Sequence, residues 1–108
     1  AQYNRLLCSS VTSINSEFLN GFSNKEINQI EKLNLDNNNK IESIEDFSFS
    51  RLYNLKQLHL NYNKLKEIRK NMFANLTNLE NLMIFWNQIE SIDENSFSNQ
   101  INLNSLDL

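Results

Sequence analysis

The chain of 108 residues contains no proline, and only one glycine, one cysteine, one histidine and one tryptophan. With no proline and glycine only at Gly21, it has neither a proline- or glycine-rich linker nor a glycine-rich loop to cradle a phosphate. The single cysteine, Cys8, cannot form a disulfide within the chain. One cysteine and one histidine also exclude multi-histidine zinc sites and most cysteine clusters. No apolar run reaches the roughly 18 residues of a spanning helix, and no basic-then-apolar leader stands at the N-terminus. The expectation is a soluble chain without a membrane span, any secretion signal having been removed ahead of Ala1. Ten basic and 13 acidic residues are interspersed and give a net charge of −3, which argues against nucleic-acid binding through a basic face.

Asparagine is what the chain has in excess, at 21 of 108 residues. Asparagine-rich tracts are often disordered and aggregation-prone, but regularly spaced leucines between them argue for an ordered core. Leu55, Leu58, Leu60, Asn63, Leu65, Ile68, Phe73 and Asn78 recur 24 residues later as Leu79, Leu82, Ile84, Asn87, Ile89, Ile92, Phe97 and Asn102. Upstream, Ile30, Leu33, Leu35, Asn39, Ile41, Ile44, Phe49, Leu52 and Asn54 form the same series, lengthened by one residue within Asp36–Asn39. A further copy begins at Leu103, Leu106 and Leu108. The predicted organisation is a cap-like segment at 1–29 followed by repeats at 30–54, 55–78, 79–102 and a truncated 103–108.

Within each copy, Leu58 and Leu60 alternate with Gln57, His59 and Asn61, so a short strand turns leucines inward and polar groups outward. Beyond Asn63 the apolar spacing loosens to Leu65, Ile68, Phe73 and Leu76, which predicts a turn and an irregular or short helical return. One such coil has a single apolar face and cannot bury it alone; several coils side by side close a core and pair their strands in parallel. Asn39, Asn63 and Asn87 fall where the chain leaves the strand. Their carboxamides, acceptor and donor at once, are expected to satisfy backbone groups at the bend. Phe49, Phe73 and Phe97 are expected to form an aromatic column inside the return.

The run Leu55-Lys56-Gln57-Leu58-His59-Leu60-Asn61-Tyr62-Asn63-Lys64-Leu65 resembles the leucine-rich repeat signature, Leu-x-x-Leu-x-Leu-x-x-Asn-x-Leu. The resemblance covers Ile30 to Leu108 and implies an α/β-type solenoid: a curved stack with a short-stranded parallel sheet on its concave face. The 24-residue period with a phenylalanine on the return is similar to the typical extracellular class, which includes Toll-like receptors and secreted arthropod immune proteins. It implies a non-enzymatic recognition module, secreted or on the cell surface, that binds a protein or microbial ligand and needs no cofactor. The alternative is an intracellular scaffold, where a single reduced cysteine is at home. Leu6 to Ile14 is similar to the end of a cysteine-bearing extracellular cap, although upstream cysteines are missing and Asn15 replaces the usual proline. Two readings of Cys8 stay open: a small buried side chain, or a disulfide to another chain.

Outward positions become apolar and aromatic in the later repeats. His59, Tyr62, Met83, Phe85 and Trp86 are predicted to form a contact surface on the concave side, because wide exposed apolar patches on soluble proteins mark interaction sites and aromatics dominate binding hot spots. The competing reading has Tyr62 and Trp86 only pack over the asparagine turns. Asn75-Leu76-Thr77 is a glycosylation sequon on the return. Gly21 is expected to permit a tight bend. Glu42, Glu45, Asp46, Glu90, Asp93 and Glu94 read as solvated charge. Asp36, Asp107 and His59 could approach one another on the concave face, but no nucleophile motif accompanies them. The uncovered leucines at 103–108 point to self-association through that end, or to a covering molecule.

Overall fold

A computed structural model describes residues 12–36, 40–98 and 100, together with the strand at 105–107. The order of elements is β1 (Ser13–Ile14), α1 (Asn24–Asn28), β2 (Lys32–Asn34), β3 (Ser43–Ile44), β4 (Gln57–His59), β5 (Glu67–Ile68), β6 (Asn81–Met83), β7 (Ser91–Ile92) and β8 (Ser105–Asp107). β2, β4, β6 and β8 lie in that order in one parallel sheet, with Leu33, Leu58, Leu82 and Leu106 in register. Each repeat therefore contributes one strand, and successive repeats are neighbours in the sheet.

The strands are three residues long because only the middle leucine points into the core while its neighbours stay half-buried. Two side-by-side amides hold each strand's entry. The N–H groups of Lys56 and Gln57 both donate to the Glu31 carbonyl, and those of Glu80 and Asn81 to the Lys56 carbonyl. Leu33, Leu35, Leu58, Leu60, Leu82 and Ile84 are fully buried and close the core against Ile41, Ile44, Leu65 and Ile68 from the returns.

Of the two forms expected for the returns, irregular or short helical, the irregular one is found. The only helix among the described residues is α1, ahead of the first repeat, where Ser23 caps it and Glu26 completes the capping box. Elsewhere the returns are turns joined to two-residue strands, and these pair in parallel as β1 with β3 and β5 with β7. Thus Ile14 lies beside Ile44, and the segment before residue 30 already carries a return of the same kind. Gly21 does not occupy a left-handed conformation, and a Cβ at this position would meet nothing within 4 Å, so no bend there requires glycine.

At the bends, Asn63 Nδ2 donates to the carbonyls of Leu35, Leu60 and Asn61, while its Oδ1 accepts from Ile41 N–H. Asn87 does the same for Leu60, Ile84 and Phe85, and accepts from Leu65 N–H. One carboxamide thus ties the exit of its own strand to both ends of the bend before it. The rings of Phe49, Phe73 and Phe97 stack in sequence, with centroids 6.5 and 6.1 Å apart. Asn39 lies outside the described residues.

A second bonding pattern runs along the returns. Ser48 Oγ donates to the Ile14 carbonyl and Ser96 Oγ to the Ile68 carbonyl. Between them, the corresponding position is Met72, which has no hydroxyl. The Ile44 carbonyl is taken instead by the Arg69 guanidinium, itself held by Asp46 and Glu67. The arginine fills the gap that the methionine leaves.

Third-repeat positions are more open than their second-repeat counterparts. Ile92, expected in the core, is 43% exposed whereas Ile68 is 1% exposed. β7 pairs with β5, and among the described residues no further return strand follows it. Asn87, Ile89 and Phe97 are half-buried.

These bonds set the expected cost of breaking them. Asn63→Ala takes the side-chain partner from the buried Leu35 and Asn61 carbonyls and the Ile41 N–H, while Asn87 still holds the Leu60 carbonyl, and is expected to cost about 3–5 kcal/mol in urea denaturation, more than Asn87→Ala. Arg69→Ala is expected to cost roughly 1–2 kcal/mol, with part of the loss restored by adding Met72→Ser, which supplies the missing hydroxyl.

Candidate binding surface

The outward side of β4 and β6 carries His59 and Met83 directly opposite each other in register. Just past these strands the chain makes two linked contacts. Asn61 N–H donates to Asp36 Oδ1 at 2.7 Å, and Asn61 Oδ1 accepts from Phe85 N–H at 2.9 Å. Asn61 is therefore buried and not outward as simple alternation predicts, because the extended strand ends at His59 and the next turns begin there. Asp36 and Asn61 share one repeat position, each offering a side-chain oxygen to the following repeat. Phe85 takes that position in the third repeat and offers none.

The next residue in the second and third repeats is strained. Tyr62 and Trp86 both have φ of 60°, in the left-handed region. This conformation costs an ordinary residue roughly 1–2 kcal/mol, and glycine or asparagine would adopt it more cheaply. The bend requires it all the same, since it aims the following asparagine inward. The two rings are stacked, with centroids 6.0 Å apart and planes 7° from parallel. Phe85 meets Tyr62 edge-on at 6.4 Å. Tyr62 is 40% exposed and Trp86 70% exposed. All five predicted residues, His59, Tyr62, Met83, Phe85 and Trp86, thus stand on the second and third repeats at one rim of the sheet's outward side. The stacking and the exposure hold together: one face of Trp86 packs on Tyr62 while most of the indole meets water.

Asp36 joins this surface, with its Oδ2 at 3.7 Å from His59 Nδ1. Asp107 does not pair with β4: it is in register with Met83, one strand further on. Partial burial pushes the His59 pKa down, against the opposing pull of Asp36 and with a smaller push from Lys32. Of the remaining sites, Asn75 is exposed on the return with φ of 70°, a conformation asparagine tolerates. Cys8 lies outside the described residues. The six return carboxylates are exposed, and Asp46 pairs with Arg69. Among the described residues, no three histidine, cysteine, aspartate or glutamate side chains cluster to hold a metal ion. No helix among them is long and apolar enough to cross a membrane.

Because the folded chain releases the His59 proton more readily than the unfolded chain, acidification is expected to erode stability. The loss begins near the ordinary histidine value of about 6.5 and continues down through the folded value. Proton NMR titration is expected to give a His59 midpoint below the free value, lower still in Asp36→Asn and higher in Lys32→Gln.

No curated protein sequence matches the chain significantly. A family model described as leucine rich repeat matches residues 28–89, more than half of the chain. That span contains the full second repeat, both described asparagine bends and the five residues of the aromatic surface. The family is typically a non-enzymatic module that binds other proteins. With one parallel strand per repeat and a hydrogen-bonded asparagine at each described bend, the chain belongs to the leucine-rich repeat family.

Proposed function

We propose that this chain is the recognition part of a secreted or cell-surface receptor of the innate-immune type, similar to the extracellular class that includes Toll-like receptors. In this reading the repeats wind as a curved solenoid, with residues 1–29 as its N-terminal cap. The outward side of the sheet is concave and receives a protein or microbial ligand. The supporting observation is Trp86: a bulky indole, 70% exposed, kept in a left-handed conformation that asparagine would adopt at lower cost. Tyr62 repeats the arrangement one coil earlier and backs the indole with a parallel ring. A rigid aromatic pair with few rotors to freeze gives a partner much contact area at little entropic cost. His59 and Met83 extend this surface along the strands, and Phe85 braces its inner edge.

Trp86 is the only tryptophan, so its fluorescence reports on the surface directly. The immobilised chain is expected to capture a partner from extracellular fluid of the source, not from cytosolic extract, and the purified partner should shift Trp86 emission to the blue. Trp86→Asn is expected to abolish capture while changing stability by no more than about 1 kcal/mol, since relief of backbone strain offsets the lost ring contact. A captured partner that binds Trp86→Asn as tightly as the parent chain contradicts the proposed surface. A partner found only in cytosolic extract favours the intracellular scaffold instead.

A further inference from the structure

The only glycine in the chain follows an exposed asparagine, in the turn that joins β1 to α1. Nothing in the fold explains the choice of glycine there: the backbone is not left-handed and open space surrounds the position. The turn is closed by its neighbours, with Asn20 N–H donating to the Glu17 carbonyl and Phe22 N–H to the Leu19 carbonyl. Among the described residues, neither the Gly21 N–H nor the Asn20 carboxamide has a hydrogen-bond partner. Asn15, in the same segment, is different. Its Oδ1 accepts from Glu17 N–H at 2.8 Å, so its carboxamide is already committed.

We propose that Asn20–Gly21 is a self-modification site at which the folded chain closes a succinimide and converts Asn20 to an aspartyl residue. The Gly21 backbone nitrogen attacks Asn20 Cγ and forms the new C–N bond. The bond from Cγ to Nδ2 breaks, and the amide leaves as ammonia with the proton given up by Gly21. Water then opens the ring, at Cγ to give aspartate or at the backbone carbonyl to give the β-linked isomer. No oxidant or reductant takes part. Glycine matters because it has no Cβ to crowd the attacking nitrogen, and a carboxamide free of other bonds can reach the attack geometry that dominates such intramolecular rates.

The position gives the change a structural consequence. Arg51, from the first repeat, reaches across to this loop and donates to the carbonyls of Leu19 and Phe22 and to Asn24 Oδ1. Asn20 and Gly21 lie between the first two of these acceptors. Conversion places a negative charge inside the loop that the guanidinium grips. The β-linked isomer also lengthens the backbone between Leu19 and Phe22, so the two carbonyls no longer match the arginine fork.

The test is peptide mass spectrometry of the folded chain during incubation in mildly alkaline buffer, with Gly21→Ala alongside. Alanine fits the open position, and matching circular dichroism confirms an unchanged fold. Asn20 is expected to lose its amide ahead of every other asparagine, with both aspartyl isomers present, and Gly21→Ala to slow that loss roughly tenfold or more. Conversion of Asn15 or any other asparagine before Asn20, or an undiminished rate in Gly21→Ala, overturns the proposal.

Discussion

A buried carboxamide at the exit of the strand is the interaction on which the rest of the structure depends. A chain whose main sheet pairs only three residues per coil must bury the backbone groups of the bend that follows, and those groups lie beyond that sheet. Left unpaired, each costs on the order of 1–3 kcal/mol. Asn63 answers with four bonds, reaching the carbonyl of Leu35 and the N–H of Ile41 in the coil before it. Leucine burial draws the coils together without direction, whereas these bonds set their spacing and rotation. Leu33, Leu58 and Leu82 stand in register and the phenylalanines stack in that setting.

The same constraint explains the aromatic surface. For the asparagine to point inward, the residue before it must take up a left-handed conformation, which throws its own side chain out to solvent. Any repeat of this kind therefore presents one side chain per bend at the rim of the sheet, at a fixed spacing. With tyrosine and tryptophan there, the spacing brings the rings face to face. The bonds that hold the bend are buried beneath Tyr62 and part-buried beneath Trp86.

Most of this was legible from residue order, because leucine alternation and a 24-residue recurrence leave few arrangements that bury every leucine. The strand leucines, the asparagine bends and the phenylalanine column could all be placed that way. Asn61 could not: alternation puts it outside, but the strand stops at His59 and the next residue already belongs to the bend. The two-residue return strands were hidden because so short a segment has no period to detect. The exchange of Ser48 and Ser96 for Met72, with Arg69 filling in, becomes visible only when the repeats are aligned and the unsatisfied carbonyl is known. Of the three side chains expected to approach on the outward face, Asp36 and His59 do meet, while Asp107 stands one strand further on beside Met83.

Amide hydrogen exchange at Ile41 and Leu65 tests the locking of coil to coil most directly, since each N–H donates to the asparagine of the following repeat and to no strand. If the carboxamides hold the coils, both amides exchange as slowly as those of Leu58 and Leu82 in the sheet. Exchange of either one at the rate of the exposed turn amides would show that the bends open freely, and that leucine packing alone holds the repeats in place.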